Sequence, residues 1–250
     1  MIQEPFSTGT SWIHQIDPKY KIIIATFFSL IIAISKNFQV LLFSLCIAII
    51  LVCLARLEIK AVLKRLSVVI FFLILIWITL PLTFEGKAIY NIGPLFISMP
   101  GIILCAQITL KSISIILVFI ALISTMTIVT LGYTLNSLCV PTKLVHLLLM
   151  TYRYIFVIEE EYRRLHKAIK IRGFSPGTNI HSYQTYAYLI GMLFVHASVR
   201  AERVSQAMKC RGFNGKFYTL YEGSSGGKNR LFLILMTLII LNLLIMEYLY

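Results

Sequence analysis

The sequence predicts an all-α integral membrane protein, with about five transmembrane helices and a cytoplasmic amphipathic helical module between the fourth and the fifth. Of the 250 residues, 58% are hydrophobic and only 13% are charged, whereas a soluble domain has about 25% charged residues. Five apolar segments approach or exceed the roughly 20 residues that a membrane-spanning helix needs. Residues 132–230 are more polar and have the periodicity of amphipathic helices.

Four of the apolar segments precede this module, and the fifth ends the chain. They cover residues 20–35, 38–55, 67–82, 101–131 and 231–250. Little more than Lys36 and Asn37 joins the first two, so these should form a tight helical hairpin. We therefore expect an N-terminal membrane domain over residues 1–131 with four spans, a cytoplasmic domain over 132–230, and a C-terminal transmembrane helix over 231–250.

The distribution of basic residues predicts the orientation. Excess Lys and Arg marks the cytoplasmic side of a membrane protein, and short loops carry the clearest signal. With the N-terminus inside, the inner segments hold 20 of the 23 Lys and Arg residues. The short loop 56–66 alone has four basic residues and one acidic residue. The sequence thus predicts a multi-pass protein of the bacterial cytoplasmic (inner) membrane, with a cytoplasmic N-terminus and an external C-terminus.

The cytoplasmic region contains two predicted amphipathic helices. In each, apolar or small residues recur at spacings of three and four, which places them on one helix face. The first stripe is Ile155, Ile158, Tyr162, Leu165 and Ile169, and the second is Ile190, Leu193, Ala197, Ala201, Val204 and Met208. We expect these stripes to pack the helices together. The Gly- and Ser-rich residues 222–229 should form a flexible link to the last span.

A short internal repeat ends both helices. Residues 164–174 read RLHKAIKIRGF and residues 203–213 read RVSQAMKCRGF, so that six of eleven positions match. Gly173 and Gly212 suit the position just beyond a helix, where the backbone turns through positive φ. An Arg beside the last turn is favoured by the negative end of the helix dipole.

A single Arg-Gly pair would be an ordinary helix stop, but two copies that also share upstream residues and the following Phe indicate more. They place a guanidinium at each of two helix ends, and Arg pairs well with carboxylates and carbonyls. The repeat therefore predicts two equivalent docking sites for a partner with two acidic grooves, such as a dimer or a pseudo-dimer.

These paired signatures, on a cytoplasmic region between four spans and one more, resemble the transmembrane T component of energy-coupling-factor (ECF) transporters. That family carries two Ala-Arg-Gly signatures, each at the end of a coupling helix. Other parts of its pattern also recur, namely Asp17-Pro18-Lys19 with Lys21, Pro141, Arg153-Tyr154 and Glu160. The second copy is most similar to the cobalt and nickel branch, the CbiQ-like proteins. The sequence departs from the family in having Ile171 and Cys210, not Ala, before the two arginines.

The resemblance implies a non-catalytic coupling subunit of an ATP-driven importer. Its coupling helices would cross and insert their tips into two ABC-type ATPase subunits, while the membrane helices would hold a substrate-binding S component. The coupling residues would be Ala168, Arg172, Gly173, Phe174, Ala207, Arg211, Gly212 and Phe213. ATP and Mg would be bound by the ATPases and no cofactor by this chain. The substrate would be cobalt or nickel, or a vitamin if several S components share the chain.

Lys111 is the one clear charge in the middle of a predicted span. Ionisable residues at such positions are functional by default, so Lys111 is a candidate intramembrane residue for contact with the S component. Polar neighbours on the same helix, such as Gln107 and Thr109, favour the other interpretation, in which Lys111 is paired inside the helical bundle.

Two other classes of protein remain as alternatives. An integral-membrane enzyme would need a Ser/His pair, an Asp-rich motif or a His cluster near a membrane face, and the predicted spans have none. A membrane-anchored binder of nucleic acid or lipid headgroups would fit the net charge of +13. However, the basic residues are interleaved with acidic ones and repeated at helix ends. We therefore expect no catalytic residue, no metal site and no nucleic-acid partner.

Overall fold

The computed structural model describes residues 6, 9, 11–83, 88–92, 95–213 and 227–249. They form eight helices and one short hairpin, which confirms the predicted all-α class and adds two strands to it. The elements are α1 (Pro18–Ile34), α2 (Phe38–Ala55), α3 (Ile59–Thr83), β1 (Ala88–Ile92), β2 (Leu95–Ser98), α4 (Met99–Leu122), α5 (Ile128–Ser137), α6 (Thr142–Ile171), α7 (Ile180–Cys210) and α8 (Gly227–Leu249).

The chain divides into two compact units. The first, the membrane unit, comprises Ile2–Thr134 and Glu222–Tyr250 and contains α1 to α4 and α8. The second, the α6–α7 unit, covers Leu135–Tyr221. Helix α5 crosses the boundary between them in the sequence.

Four helices of the membrane unit are long and apolar enough to cross a bilayer, and they make the chain a multi-pass membrane protein. These are α2, α3, α4 and the Asn229–Tyr248 part of α8. Helix α1 has only 17 residues. Its two ends nevertheless lie beside the two ends of α8. The Asp17 N–H donates to Asn229 Oδ1 at 3.2 Å, and Ser35 Oγ donates to Glu247 Oε2 at 2.5 Å.

Eighteen residues separate the two contacts in each helix. Helices α1 and α8 therefore run parallel and cover the same distance, about 27 Å at 1.5 Å per residue. Helix α1 starts cleanly because Asp17 caps it, accepting a hydrogen bond from the Lys19 N–H at 3.0 Å, and Pro18 occupies the first turn. The Asp-Pro-Lys sequence before the first span is thus a helix start.

The third and fourth spans differ from their predicted bounds. Helix α3 starts at Ile59, eight residues earlier than expected, because the basic residues of the predicted loop lie on its exposed first turns. The predicted span 101–131 is broken after Leu122. There the Thr125 hydroxyl donates to the carbonyls of Ala121 and Leu122. The Thr127 hydroxyl accepts from the Thr130 N–H at 3.2 Å and so caps the start of α5.

The link between α3 and α4 contains the hairpin that was not predicted. Strands β1 and β2 are antiparallel, with Asn91 opposite Phe96 and Ile92 opposite Leu95. The predicted glycine-rich link 222–229 lies outside the described residues up to 226. From Gly227 the chain is already helical, so the last span begins four residues before its predicted start.

The core of the membrane unit lies around α4, which packs against α1, α2 and α3. Helix α8 closes the bundle by packing against α1 and α2. The buried side chains include Phe28, Leu41, Ala48, Val118 and Phe232. The outward faces carry exposed large apolar residues such as Phe71 and Phe72. This arrangement fits a bundle whose solvent is lipid.

Candidate functional site: two helix tips in the α6–α7 unit

Helices α6 and α7 have 30 and 31 residues and pack against each other. Asn179 caps the start of α7 by accepting from the Ser182 N–H at 3.0 Å. The His196 ring Nδ1 lies 2.9 Å from Glu161 Oε1 across the two helices. A groove of about 310 Å³ runs between them and is lined by residues including Ile155, Ile158, Leu193 and Ala197.

The predicted stripes are only partly buried. Ile155 and Ile158 line the groove, but Ile190 is 64% exposed. Within α6, two i,i+4 ion pairs are present: Arg163 bonds to Glu159 and Arg164 bonds to Glu160, each at 2.6 Å. Glu160 raises the pKa of Arg164 through this hydrogen bond and its charge. These pairs are exposed to solvent and so contribute little to stability.

Both copies of the repeat end their helix with the same hydrogen-bonded turn. The Gly173 N–H donates to the Lys170 carbonyl at 3.1 Å, and the Phe174 N–H donates to the Ile169 carbonyl at 3.2 Å. In the second copy, Gly212 and Phe213 make the equivalent bonds to Lys209 and Met208, both at 3.0 Å. These pairs of bonds define a Schellman motif.

The two glycines have φ values of 79° and 77°, in the left-handed region that other residues adopt only with strain. A Cβ built on either glycine would meet nothing within 4 Å. Backbone conformation, not crowding, therefore requires Gly at these two positions.

Each turn leaves the side chains of the signature open to a partner. Arg172 and Arg211 are the C-cap residues, and their backbone N–H groups bond to the carbonyls of Ala168 and Ala207, at 3.3 Å in both cases. All four residues are exposed, as are Gly173 and Gly212. Within the described part of the chain, neither guanidinium forms an ion pair.

The two Phe residues of the signatures have a different position from the arginines. Phe174 is half-buried and packs against two rings near the start of α7, with ring centroids 6.3 Å from His181 and 5.7 Å from Tyr186. Phe213 is also half-buried. Phe174 therefore holds the turn after α6 in place, and the arginine and the glycine form the accessible tip.

Lys111 is a residue of α4, and its side chain reaches the C-terminal end of α1. Its Nζ donates to the Ala33 carbonyl at 2.9 Å, one of the last carbonyls of that helix, which have no partner within the helix. Nearby, Gln107 Nε2 donates to the Lys36 carbonyl at 2.9 Å. The Thr109 hydroxyl accepts from Trp77 Nε1 at 2.9 Å. The polar residues of α4 thus tie it to the α1–α2 turn and to α3.

Glu247 belongs to the same polar cluster, although no sequence pattern predicted it. It accepts from Ser35 Oγ and from the Lys36 N–H at 2.9 Å, and it interacts electrostatically with Lys111. The available signal was that Glu247 is the one acidic residue in the last 20 positions. Its partner lies 212 residues away in the sequence, a separation over which no local pattern extends.

Among the described residues, no group of three or more His, Cys, Asp or Glu side chains is arranged to hold a metal ion. All five cysteines are free thiols. Outside the spans, burial lowers the pKa of His146, a residue of α6 that lies far along the helix from its Arg-Gly tip.

Fold and site together define a multi-pass membrane protein that carries a paired-helix unit with two exposed Arg-Gly tips. Residues 9–219 match the family model described as CbiQ, cobalt transport protein, and the chain belongs to this family. It is thus a membrane component of a transport system, and it is not an enzyme. The resemblance drawn from the two signatures is confirmed.

Several relatives are named energy-coupling factor transporter transmembrane protein EcfT. The one from Leuconostoc gelidum subsp. gasicomitatum is 28% identical over 220 residues, which cover 83% of this chain and 82% of the relative. That of Listeria innocua serovar 6a is 29% identical over 227 residues, with coverages of 86% and 85%. That of Bacillus subtilis is 27% identical over 226 residues, with the same coverages.

Proposed function

We propose that this chain is the transmembrane coupling subunit of an ATP-driven ECF-type importer. It would link two cytoplasmic ABC-type ATPase subunits to a membrane subunit that binds the substrate. The observation that carries the proposal is the pair of Schellman-capped tips, each with an exposed arginine. Family membership and the EcfT relatives support it. ATP and Mg would be bound by the ATPases.

The tips suit this task because they combine charge with a fixed geometry. A guanidinium presents a planar set of donors to carboxylates and backbone carbonyls. The Schellman turn fixes the backbone from which each guanidinium extends. Helices of 30 and 31 residues are about 45 Å long. A movement of the ATPases could thus be transmitted as a movement of rigid levers.

We further propose that residues 132–230 are cytoplasmic, that the N-terminus is cytoplasmic, and that 1–131 and 231–250 form the membrane domain. The 20 basic residues that this topology places inside support it.

For the substrate, the family description favours cobalt, with nickel as its close chemical neighbour. The EcfT relatives carry no metal in their names. The second candidate is that the chain serves S components for several vitamins. Uptake of labelled cobalt and of labelled vitamins by cells that express each S component with this chain distinguishes the two.

The test of the coupling role is a double substitution at the tips. Arg172→Ala with Arg211→Ala removes both exposed guanidinium groups. We expect it to abolish uptake and co-purification of the ATPase pair, since truncating a charged contact at an interface costs about 2–5 kcal/mol. The membrane unit should keep its thermal stability, because both residues are exposed ends of helices in the other unit.

Arg163→Ala is the matched control, since Arg163 is also an exposed arginine of α6 but is not part of a tip. It should leave uptake and co-purification unchanged. Normal co-purification of the ATPases with the double variant would contradict the proposed function.

A further inference from the structure

The internal repeat includes a second arginine that the Arg-Gly tips do not account for. Its first matching position is Arg164 in one copy and Arg203 in the other, eight residues before the capping arginine. Residues four and eight positions apart share one side of an α-helix, and eight residues rise about 12 Å. Each copy therefore presents a face with an arginine, an alanine one turn on, and a second arginine.

We call these the Arg-Ala-Arg faces. The first comprises Arg164, Ala168 and Arg172, and the second comprises Arg203, Ala207 and Arg211. All six residues are exposed. Between the matching positions the copies differ, since Leu165-His166-Lys167 in the first corresponds to Val204-Ser205-Gln206 in the second. Along the helix, the two copies thus share this face and one lysine near the tip, Lys170 or Lys209, whereas the other positions differ.

We propose that each helix docks through its whole Arg-Ala-Arg face, onto a strip of the ATPase groove with two carboxylate sites about 12 Å apart. This inference rests on the proposed function. It extends the surface with which each helix contacts the ATPase by two helical turns. The alanine at the centre of the face has only a methyl side chain, so that the partner can approach the helix backbone between the two guanidinium groups.

The repeat favours a protein partner over the membrane surface for these arginines. An anionic bilayer attracts any basic side chain close to it, with little regard to register. The second copy lacks the Lys and the His of the first, at positions 167 and 166, yet keeps both arginines and the alanine. Total charge therefore differs between the copies while geometry is kept, as recognition by a shaped acidic groove requires.

The two faces are unequal before any partner binds. Arg164 is bonded to the Glu160 carboxylate at 2.6 Å, and both side chains are about two-thirds exposed. Arg203 has Val199, and no carboxylate, four residues before it. Arg203 also makes no ion pair with any residue that the structure describes. Arg203 is therefore free to bind the ATPase. Arg164 must first break its bond to Glu160, or must divide its N–H donors between Glu160 and the ATPase.

The experiment uses the full chain in lipid nanodiscs and the purified ATPase pair that co-purifies with the unaltered protein. The dissociation constant of the ATPase pair is measured for Arg203→Ala, Arg164→Ala and Glu160→Gln. We expect Arg203→Ala to weaken binding about tenfold or more and Arg164→Ala to weaken it less, about threefold. Glu160→Gln should tighten binding, because it releases Arg164.

Arg163→Ala is the matched control for Arg164→Ala. Arg163 is the adjacent arginine, is equally exposed, and is paired with Glu159 at the same 2.6 Å, but it lies about 100° further round the helix. It should change the dissociation constant less than twofold, within experimental scatter. Arg203→Lys keeps the charge without the planar fork and should fall between the unaltered protein and Arg203→Ala.

Each outcome has a definite meaning. If Arg203→Ala and Arg164→Ala behave like Arg163→Ala while the substitutions at Arg172 and Arg211 abolish binding, the Arg-Ala-Arg inference is wrong and the proposed function stands. If the tip substitutions also leave binding unchanged, the proposed function itself fails. Nanodiscs of phosphatidylcholine with and without phosphatidylglycerol provide the last comparison. An effect of Arg203→Ala only in discs with phosphatidylglycerol would assign the arginine to lipid and overturn the inference.

Discussion

Glycine has two different roles in the α6–α7 unit. Gly173 and Gly212 lie at positive φ just after a helix, whereas Gly191 is in the helical interior of α7. In all three cases a Cβ would meet nothing within 4 Å. Any difference between Gly→Ala substitutions at these sites must therefore come from the backbone.

Gly173→Ala and Gly212→Ala should each loosen the end of their helix. A non-Gly residue in the left-handed region costs roughly 1–2 kcal/mol. Hydrogen exchange at the amides after each glycine should rise by about 5- to 30-fold, and ATPase docking should weaken with it.

Gly191→Ala should instead stabilise α7 by about 0.5–1 kcal/mol and slow exchange around it. Equal behaviour of the three variants would show that the Schellman turns do not maintain the tips.

At the level of single residues, the sequence predicted the features that depend only on neighbouring residues. A helix that ends in Arg-Gly follows from the preference for Gly at positive φ, and the exposure of Arg172 follows from its place at a helix end. The partners of Phe174, which are His181 and Tyr186, depend on how the chain folds back. Nothing in the repeat indicates that contact.

At the scale of elements, the C-terminal ends of α1 and α8 meet the middle of α4 in one polar cluster. Lys111 of α4 bonds to the Ala33 carbonyl of α1, and Glu247 of α8 bonds to Ser35 and Lys36 after α1. Polar groups in a low-dielectric environment are costly when they are left without partners. The cluster therefore fixes three helices to one another.

Lys111→Gln and Glu247→Gln test this with a double-substitution cycle. If Lys111 is a structural residue, each change should lower the free energy of unfolding of the membrane unit in detergent by about 1–3 kcal/mol. The double variant should lose less than the sum of the two, because the groups interact. Asn242→Ala, an exposed position of α8 away from the cluster, is the control and should change stability little.

A different pattern would assign Lys111 to the S component. In that case, Lys111→Gln would lower substrate uptake while the melting temperature stayed unchanged, and the two substitutions would be additive.

Helix bounds were mispredicted where polar side chains, and not the mean hydropathy of the segment, determine where a helix begins or ends. Residues 101–131 are mainly apolar, yet the Thr125 and Thr127 hydroxyls bond to the backbone where one helix ends and the next starts. Conversely, the basic start of α3 is helical, because Lys and Arg are good helix formers at exposed positions. Hydropathy alone measures neither effect.

For the whole molecule, the parallel pairing of α1 and α8 makes a prediction about topology. Helices that run parallel end on the same side of the membrane. With the N-terminus cytoplasmic, the C-terminus and the α1–α2 turn should both be external.

Reporter fusions test this. Alkaline phosphatase fused after Tyr250 should be active, and a fluorescent protein at the N-terminus should be bright. Phosphatase fused after Glu58, between α2 and α3, should be inactive and serves as the control. An inactive C-terminal fusion in a stable, expressed protein would mean that α1 does not cross the bilayer or that the orientation is reversed.

The contacts between α1 and α8 also bear on how the protein is made. Both join residues 212 positions apart in the chain. A ribosome that adds 5–20 residues per second needs roughly 10–40 s to make that length. We expect α1 to lie in the membrane during this interval, while the carboxylate that will bond to the Lys36 N–H has not been synthesised. The first helix to enter the bilayer is thus among the last to be fully packed, and a nascent chain truncated before α8 should be a preferred substrate for membrane proteases.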